Sequence, residues 1–284
     1  MGVLYVVATP IGNLEDITLR ALRVLREVQL VAAEDTRTTA KLLARYDIHT
    51  PMVSFFEHNE WVREGEILQA LETQDVALVS EAGMPTVSDP GYRLVRAAIS
   101  HGFSVVPVPG ASAVLAALAV SGLPTDSFLF LGFLPRRASA RKQLLASIQS
   151  ETRTLICFEA PHRLLRSLQG ILETLGDREV AVACELTKMF ESTWRGTVSA
   201  AVAHFQERAP RGEYTLVLAG APEPQQERWD EQRVRTELSQ LIADGHSRRD
   251  AAAQVCRMAH WPKREVYRLA VEQAEKDDMR RADA

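Results

Sequence analysis

Cysteine is scarce in this 284-residue chain: Cys157, Cys184 and Cys256 stand far apart, each within or beside apolar sequence. That excludes a disulfide framework and a cysteine-rich zinc site and suits small buried thiols, so no structural metal is expected. Long hydrophobic runs are missing too. The longest, such as 114–120, fall well short of the ~18 consecutive apolar residues of a membrane span. Met1-Gly2-Val3-Leu4-Tyr5 has no basic lead of a signal peptide and runs directly into a strand pattern, so a cytoplasmic protein without membrane association is expected. Nor is there an excess of positive charge. A net charge of −4 excludes indiscriminate coating of nucleic acid and leaves any such contact to local basic clusters. The G-x-G-x-x-G and G-x-x-x-x-G-K-[ST] signatures are absent, which counts against phosphate-centred cofactors, and no internal repeat or low-complexity tract occurs.

What is present is ample apolar material, 46% of residues, enough for cores in two compact domains. Through the first ~120 residues, apolar runs bounded by turn residues alternate with helical periodicity, the pattern of βαβ units on a parallel sheet. Strands are expected at 3–8, 30–33, 76–80 and 105–108, with helices at 18–27, 36–46, 60–72, 91–101 and 111–121. After Gly122-Leu123-Pro124 the rhythm changes: strands at 128–133, 154–158, 180–184, 192–197 and 214–219 are joined by fewer helices, at 138–149, 162–175 and 198–208. Several of these strands follow one another without a crossover helix, which requires a mixed sheet. The proline-containing stretch 220–227 is expected to be a linker, followed by a small three-helix tail resembling a helix-turn-helix, with Ser247 capping one helix and Pro262 near the start of the next. The expected domains are therefore 1–122, 123–220 and 228–284.

Three loops follow strands of the first half, at the end where ligands collect in open α/β sheets. They are Thr9-Pro10-Ile11-Gly12-Asn13, the stretch from Glu81 to Gly91, and Pro109-Gly110-Ala111-Ser112-Ala113. Taken singly, their glycines and prolines merely punctuate strand ends. Together they suit one wide cradle in which backbone approaches a ligand closely.

The stretches ATPIGNLEDIT from Ala8, AEDTR from Ala33, SEAGMPTVSDPGYRLV from Ser80, VPVPGASAVLAAL from Val106, GFLPRR from Gly132, FEAPHRLL from Phe158, ELTKMFE from Glu185 and GEYTLVLAG from Gly212 resemble the tetrapyrrole methylase superfamily. Within it they resemble the bacterial branch that methylates the 2'-oxygen of a cytidine in small-subunit (16S) ribosomal RNA, along almost the entire chain. The resemblance implies a homodimer of two-domain α/β subunits, with S-adenosylmethionine in the cleft between the domains. Carried over position by position, it implies cofactor contacts at Pro10, Gly83, Met84, Pro85, Val87, Ser88, Ser112, Ala113, Phe158, Leu186 and Thr215. Many relatives have Asp where Glu81 stands and Thr where Met84 stands, so no side-chain hydrogen bond comes from residue 84.

Because a sulfonium methyl is already activated, such a site must chiefly align the attacking oxygen, with a general base adding roughly 10²–10⁴-fold. The candidates for that base are Glu34, Asp35, His58, Glu81, Glu159 and Lys188. Each has a plainer account: Glu34 and Asp35 as helix-start acids, His58 in a solvated turn, Glu159 in an ion pair with Arg163, and Lys188 as a surface charge. Arg136, Arg137, Arg141 and Lys142, extended by Arg37 and Arg163, are the candidate RNA-phosphate contacts, against the plainer account of a solvated basic face. Two other functions remain open: a small-molecule tetrapyrrole methylase, which needs an enclosed apolar pocket, and a noncatalytic RNA-binding ribosome-assembly factor.

Overall fold

A computed structural model describes residues 1–56, 58–222 and 228–282. Met1–Ala221 forms one compact unit and Pro222–Ala284 a second. The first contains two five-stranded sheets. Strands β1 (Val3–Val7), β2 (Leu30–Ala33), β3 (Met52–Ser54), β4 (Val76–Val79) and β5 (Ser104–Val108) pair entirely in parallel, in the order β3-β2-β4-β1-β5. Helices α1 (Leu19–Glu27), α2 (Thr36–Arg45), α3 (Glu60–Leu71) and α4 (Tyr92–Ser100) make the crossovers. Their starts are written locally: the Thr18 hydroxyl accepts from the Ala21 N–H to cap α1, and the Asp35 carboxylate accepts from the Arg37 N–H to cap α2. β3 was not expected. It is a three-residue edge strand after Pro51, too short to show an alternation.

The second sheet has the order β6-β7-β10-β8-β9. β6 (Phe128–Phe133) runs parallel to β7 (Thr154–Glu159), whereas β8 (Glu179–Cys184), β9 (Ser192–Thr197) and β10 (Tyr214–Leu218) pair antiparallel to their neighbours. The mixed sheet expected from the missing crossover helices is thus present. Helices α6 (Ala138–Ser147), α7 (Pro161–Leu175) and α8 (Val198–Glu207) accompany it, and α7 opens on Pro161, where a missing N–H costs nothing.

Helix α5 (Ala113–Ser121) follows β5 in sequence, yet Val114, Ala117 and Leu118 are buried with Ile156, Ala181, Ala183 and Val217 of the second sheet. Among its described residues, the Pro222–Ala284 unit holds three helices, α9 (Glu231–Ala243), α10 (Arg248–Ala259) and α11 (Lys263–Ala282), around a core that includes Leu238, Val255 and Leu269. Ser247 caps α10 through the Asp250 N–H. Of the expected linker, 223–227 lie outside the described residues, as do 283–284 of the expected tail domain.

Candidate active site

Parallel strands end on one edge, so β1, β2, β4 and β5 send their following loops to the same side of the first sheet. The loops are tied together there. Thr9 and Gly83 exchange backbone hydrogen bonds of 2.9 and 3.1 Å, and Glu60 accepts from the Gly91 N–H at 2.6 Å to fix the far end of the loop after β4. In the second sheet, antiparallel β10 begins where β7 and β8 end: Tyr214 pairs with Glu159 on one side and Cys184 on the other. The loop after β8 reaches the loop after β1, since the Asn13 N–H donates to the Thr187 hydroxyl at 3.1 Å.

These loops enclose an open cavity of about 1020 Å³. Pro10, Gly83, Met84, Val87, Ser88, Ser112, Ala113, Phe158, Leu186 and Thr215 all line it, whereas Pro85 sits in the same loop without lining it. The Ser112 hydroxyl is partly committed, because it caps α5 by accepting from the Leu115 N–H. Thr86, Ser88, Glu185 and Thr187 adopt positive φ without being glycine, and all four lie in the loops after β4 and β8. Such backbone strain collects where a ligand is held.

Of the proposed bases, Glu81, Glu34, Glu159 and Lys188 line the cavity; Asp35 and His58 do not. Asp35 is a helix cap engaged by Arg37, whose side-chain and backbone hydrogen bonds pull its carboxyl down to about 2. His58 packs edge-on against Phe56, with ring centroids 6.2 Å apart. Glu159 is only 1% exposed and fully engaged: it accepts from the Ala160 N–H, the Arg163 guanidinium and the Ser167 hydroxyl. Lys188 bridges Glu185 at 3.0 Å and Glu213 at 2.8 Å. Burial opposes its charge, but those two carboxylates prevail and raise its pKa, so it is held as a cation.

Sequence reasoning missed Asp89, in the SDPG stretch, which lines the cavity with Glu34 and Glu81. Burial, then the nearby Glu34 charge, pushes Asp89 up to about 7 despite a hydrogen bond with Ser80. Burial raises Glu34 as well, although Glu34 accepts from the Glu81 N–H at 3.0 Å.

The basic residues divide. Arg136, Arg137 and Lys142 are exposed, and the first two make no side-chain hydrogen bond or ion pair among the described residues. Arg141 donates to the Pro135 carbonyl, Arg37 is paired with Asp35, and Arg163 is taken up by Glu159 and the Leu134 carbonyl. None of the six lines the cavity.

Two α/β sheets whose strand-end loops share one ligand-sized cavity define an α/β enzyme with a composite site. Solved structures have the same fold: the methyltransferase CobJ superposes with a TM-score of 0.60 at 18% identity over 78% of this chain and 95% of that one. Uroporphyrin-III-C-methyltransferase from Thermus thermophilus does so with 0.52 at 23% identity, over 76% and 94%. The family model of tetrapyrrole (corrin/porphyrin) methylases matches residues 3–202, and the chain belongs to that family. A Synechocystis protein named "Ribosomal RNA small subunit methyltransferase I" is 48% identical over 96% of this chain and 98% of its own length. A Thermotoga maritima protein of the same name is 53% identical over 78% of this chain and 99% of its own length.

The chain is accordingly a methyltransferase, with S-adenosylmethionine as donor. Its residues fit that donor: the cavity is of nucleoside-ligand size, Pro10, Ile11, Phe158 and Leu186 give it apolar walls, and the carboxyl oxygens of Glu34, Glu81 and Asp89 give it acceptors for the donor's hydroxyl and amino groups.

Proposed function

We propose that this chain methylates the 2'-hydroxyl of a cytidine ribose in 16S ribosomal RNA, acting in the cytoplasm as a homodimer. The cavity shared by both sheets carries the reading, and near end-to-end similarity to relatives named for small-subunit ribosomal RNA supports the substrate. The cytidine, the 2'-oxygen, the dimer and the compartment rest on resemblance to the ribosomal-RNA branch of the family.

Bound in the cavity, S-adenosylmethionine supplies a methyl group already activated by its sulfonium, so the chain's main task is alignment. Gly83, Met84 and Val87 from the loop after β4, and Phe158, Leu186 and Thr215 from the second sheet and its loops, would hold the donor. Among the cavity's own residues, the Glu34–Glu81–Asp89 group would accept the proton that the ribose hydroxyl gives up. There Asp89, near 7, is poised to exchange a proton at physiological pH. Lys188, held as a cation, and Glu159, saturated with donors, serve the architecture. Arg136 and Arg137 supply phosphate contacts.

Incubating purified protein with methyl-labelled donor and small ribosomal subunits, or their RNA, tests this: label is expected on a cytidine ribose. Label only on a porphyrin precursor selects the small-molecule reaction of the family, and failure to bind donor by calorimetry selects a noncatalytic RNA-binding role.

A further inference from the structure

Strand β6 reads Phe128-Leu129-Phe130-Leu131-Gly132-Phe133. Strict alternation would place Phe128 and Phe130 on one face and Phe133 on the other. The observed register breaks the alternation: Phe130 pairs with Ile156 and Phe133 with Phe158, so three steps on β6 span two on β7. Gly132, at φ 64°, absorbs the extra residue of this bulge. Phe133 is thereby returned to the side of Phe128 and Phe130, and all three line the cavity.

Phe133 nevertheless remains 58% exposed, so its ring stands at the mouth. Its ring packs tilted against Phe158, with centroids 5.4 Å apart, and Phe130 in turn meets the Phe158 ring edge-on at 5.0 Å. The turn beyond is pinned, because Leu134 is buried and its carbonyl accepts from Arg163 at 2.7 Å. Arg136 and Arg137 then emerge exposed, with side chains free of partners among the described residues. A rigid aromatic at a cavity mouth, followed within four residues by two free guanidinium groups, is what recognition of an unstacked nucleotide requires: a π-face for the base and cations for the phosphates.

We propose that Phe133 is a stacking platform for the base of the target nucleotide, presenting its ribose hydroxyl to the cavity while Arg136 and Arg137 hold the adjoining phosphates. Phe133 is a positioning residue, and the proposal rests on the ribosomal-RNA reading above. Because every base has a π-face, the platform fixes where the nucleotide sits without selecting which base it is.

Steady-state methylation of small ribosomal subunits by F133A, F133L and F133W, alongside calorimetric donor affinity, tests it. F133A and F133L are expected to raise KM for RNA by roughly 10-fold to 100-fold, the loss of one base–aromatic stack, with a much smaller change in donor Kd. F133W is expected to recover most of the loss. An F133L protein with wild-type KM, or a donor Kd that weakens in step with KM, overturns the platform, because Phe133 is then only apolar filler or a prop for Phe158. If the wild-type protein leaves RNA unlabelled, the ribosomal-RNA reading falls and takes the platform with it; wild-type labelling with normal F133L kinetics removes the platform alone.

Discussion

Gly12 lies so close beneath the Lys188 side chain that a Cβ on residue 12 would sit 2.4 Å from the lysine Cγ. The same atom would meet the Thr187 hydroxyl at 2.9 Å and the Leu186 carbonyl at 3.1 Å, so a lysine rotamer change alone does not make room. Here a loop of the first sheet is laid directly on a loop of the second. Gly12→Ala must push these loops apart, and with them Pro10 and Leu186 on the cavity wall. An overpacking cost of about 1–3 kcal/mol is expected in chemical denaturation, together with weaker donor binding in calorimetry. Unchanged donor affinity would mean that the cleft does not depend on this contact.

Asp89 makes stability depend on pH in a direction opposite to that of an ordinary salt-bridged carboxylate. Burial and the Glu34 charge raise its folded-state value to about 7 from an ordinary value of 3.8, so the folded protein binds the extra proton between those limits. The contribution is fully present below the unfolded value and is lost as pH rises through about 7. Relative to Asp89→Asn, the wild-type protein is therefore expected to lose unfolding free energy between pH 4 and 7. Denaturant titrations across that range, with both proteins in the same buffers, check the sign. If Asp89 also takes the hydroxyl proton, the wild-type rate should rise through the same window and the asparagine variant should lack that limb.

How much of this was legible in the sequence differs from residue to residue. The loops around Pro10, Gly83 and Ser112 were visible because glycine and proline interrupt apolar runs at strand ends, and parallel pairing then obliges those ends to lie together. Asp35 and Glu159 had their plainer roles written locally, as a helix cap and as an i,i+4 partner of Arg163. Asp89 was not legible as a titrating group, since its raised value comes from burial and from Glu34, which is distant in sequence. The Gly132 bulge was hidden for a similar reason: an extra residue exists only relative to the strand it pairs with. The sheet on which α5 packs was equally nonlocal, because the sequence gives its neighbours in order and not in space.

Glu159 separates a catalytic role from a structural one. Its carboxylate is buried with the Arg163 guanidinium, which is itself largely covered, and removing one partner of such a pair leaves an uncompensated charge. Glu159→Ala is expected to cost about 3–5 kcal/mol of folding free energy, with Glu159→Gln milder because it retains the acceptor for Ser167. At a temperature where the glutamine variant is still fully folded, its turnover should stay within a few-fold of wild type. A fall of 10²-fold or more without loss of stability would instead mark Glu159 as a proton acceptor.

Arg136 and Arg137 are the test of electrostatic RNA binding, because among the described residues their side chains have no hydrogen-bond or ion-pair partner while Arg163 and Arg37 do. Each cation that neutralises a phosphate releases a condensed counterion, so the logarithm of affinity falls with the logarithm of salt in proportion to the number of contacts. Removing both charges, as Arg136→Gln with Arg137→Gln, should lower the magnitude of that slope by about 2 and weaken binding most at low salt. Donor affinity should be untouched, since neither side chain lines the cavity. Filter binding of small-subunit RNA across a salt series, paired with calorimetry of the donor, reads both quantities on the same preparations. An unchanged slope would assign the two arginines to the solvated surface and move the RNA track elsewhere on the molecule.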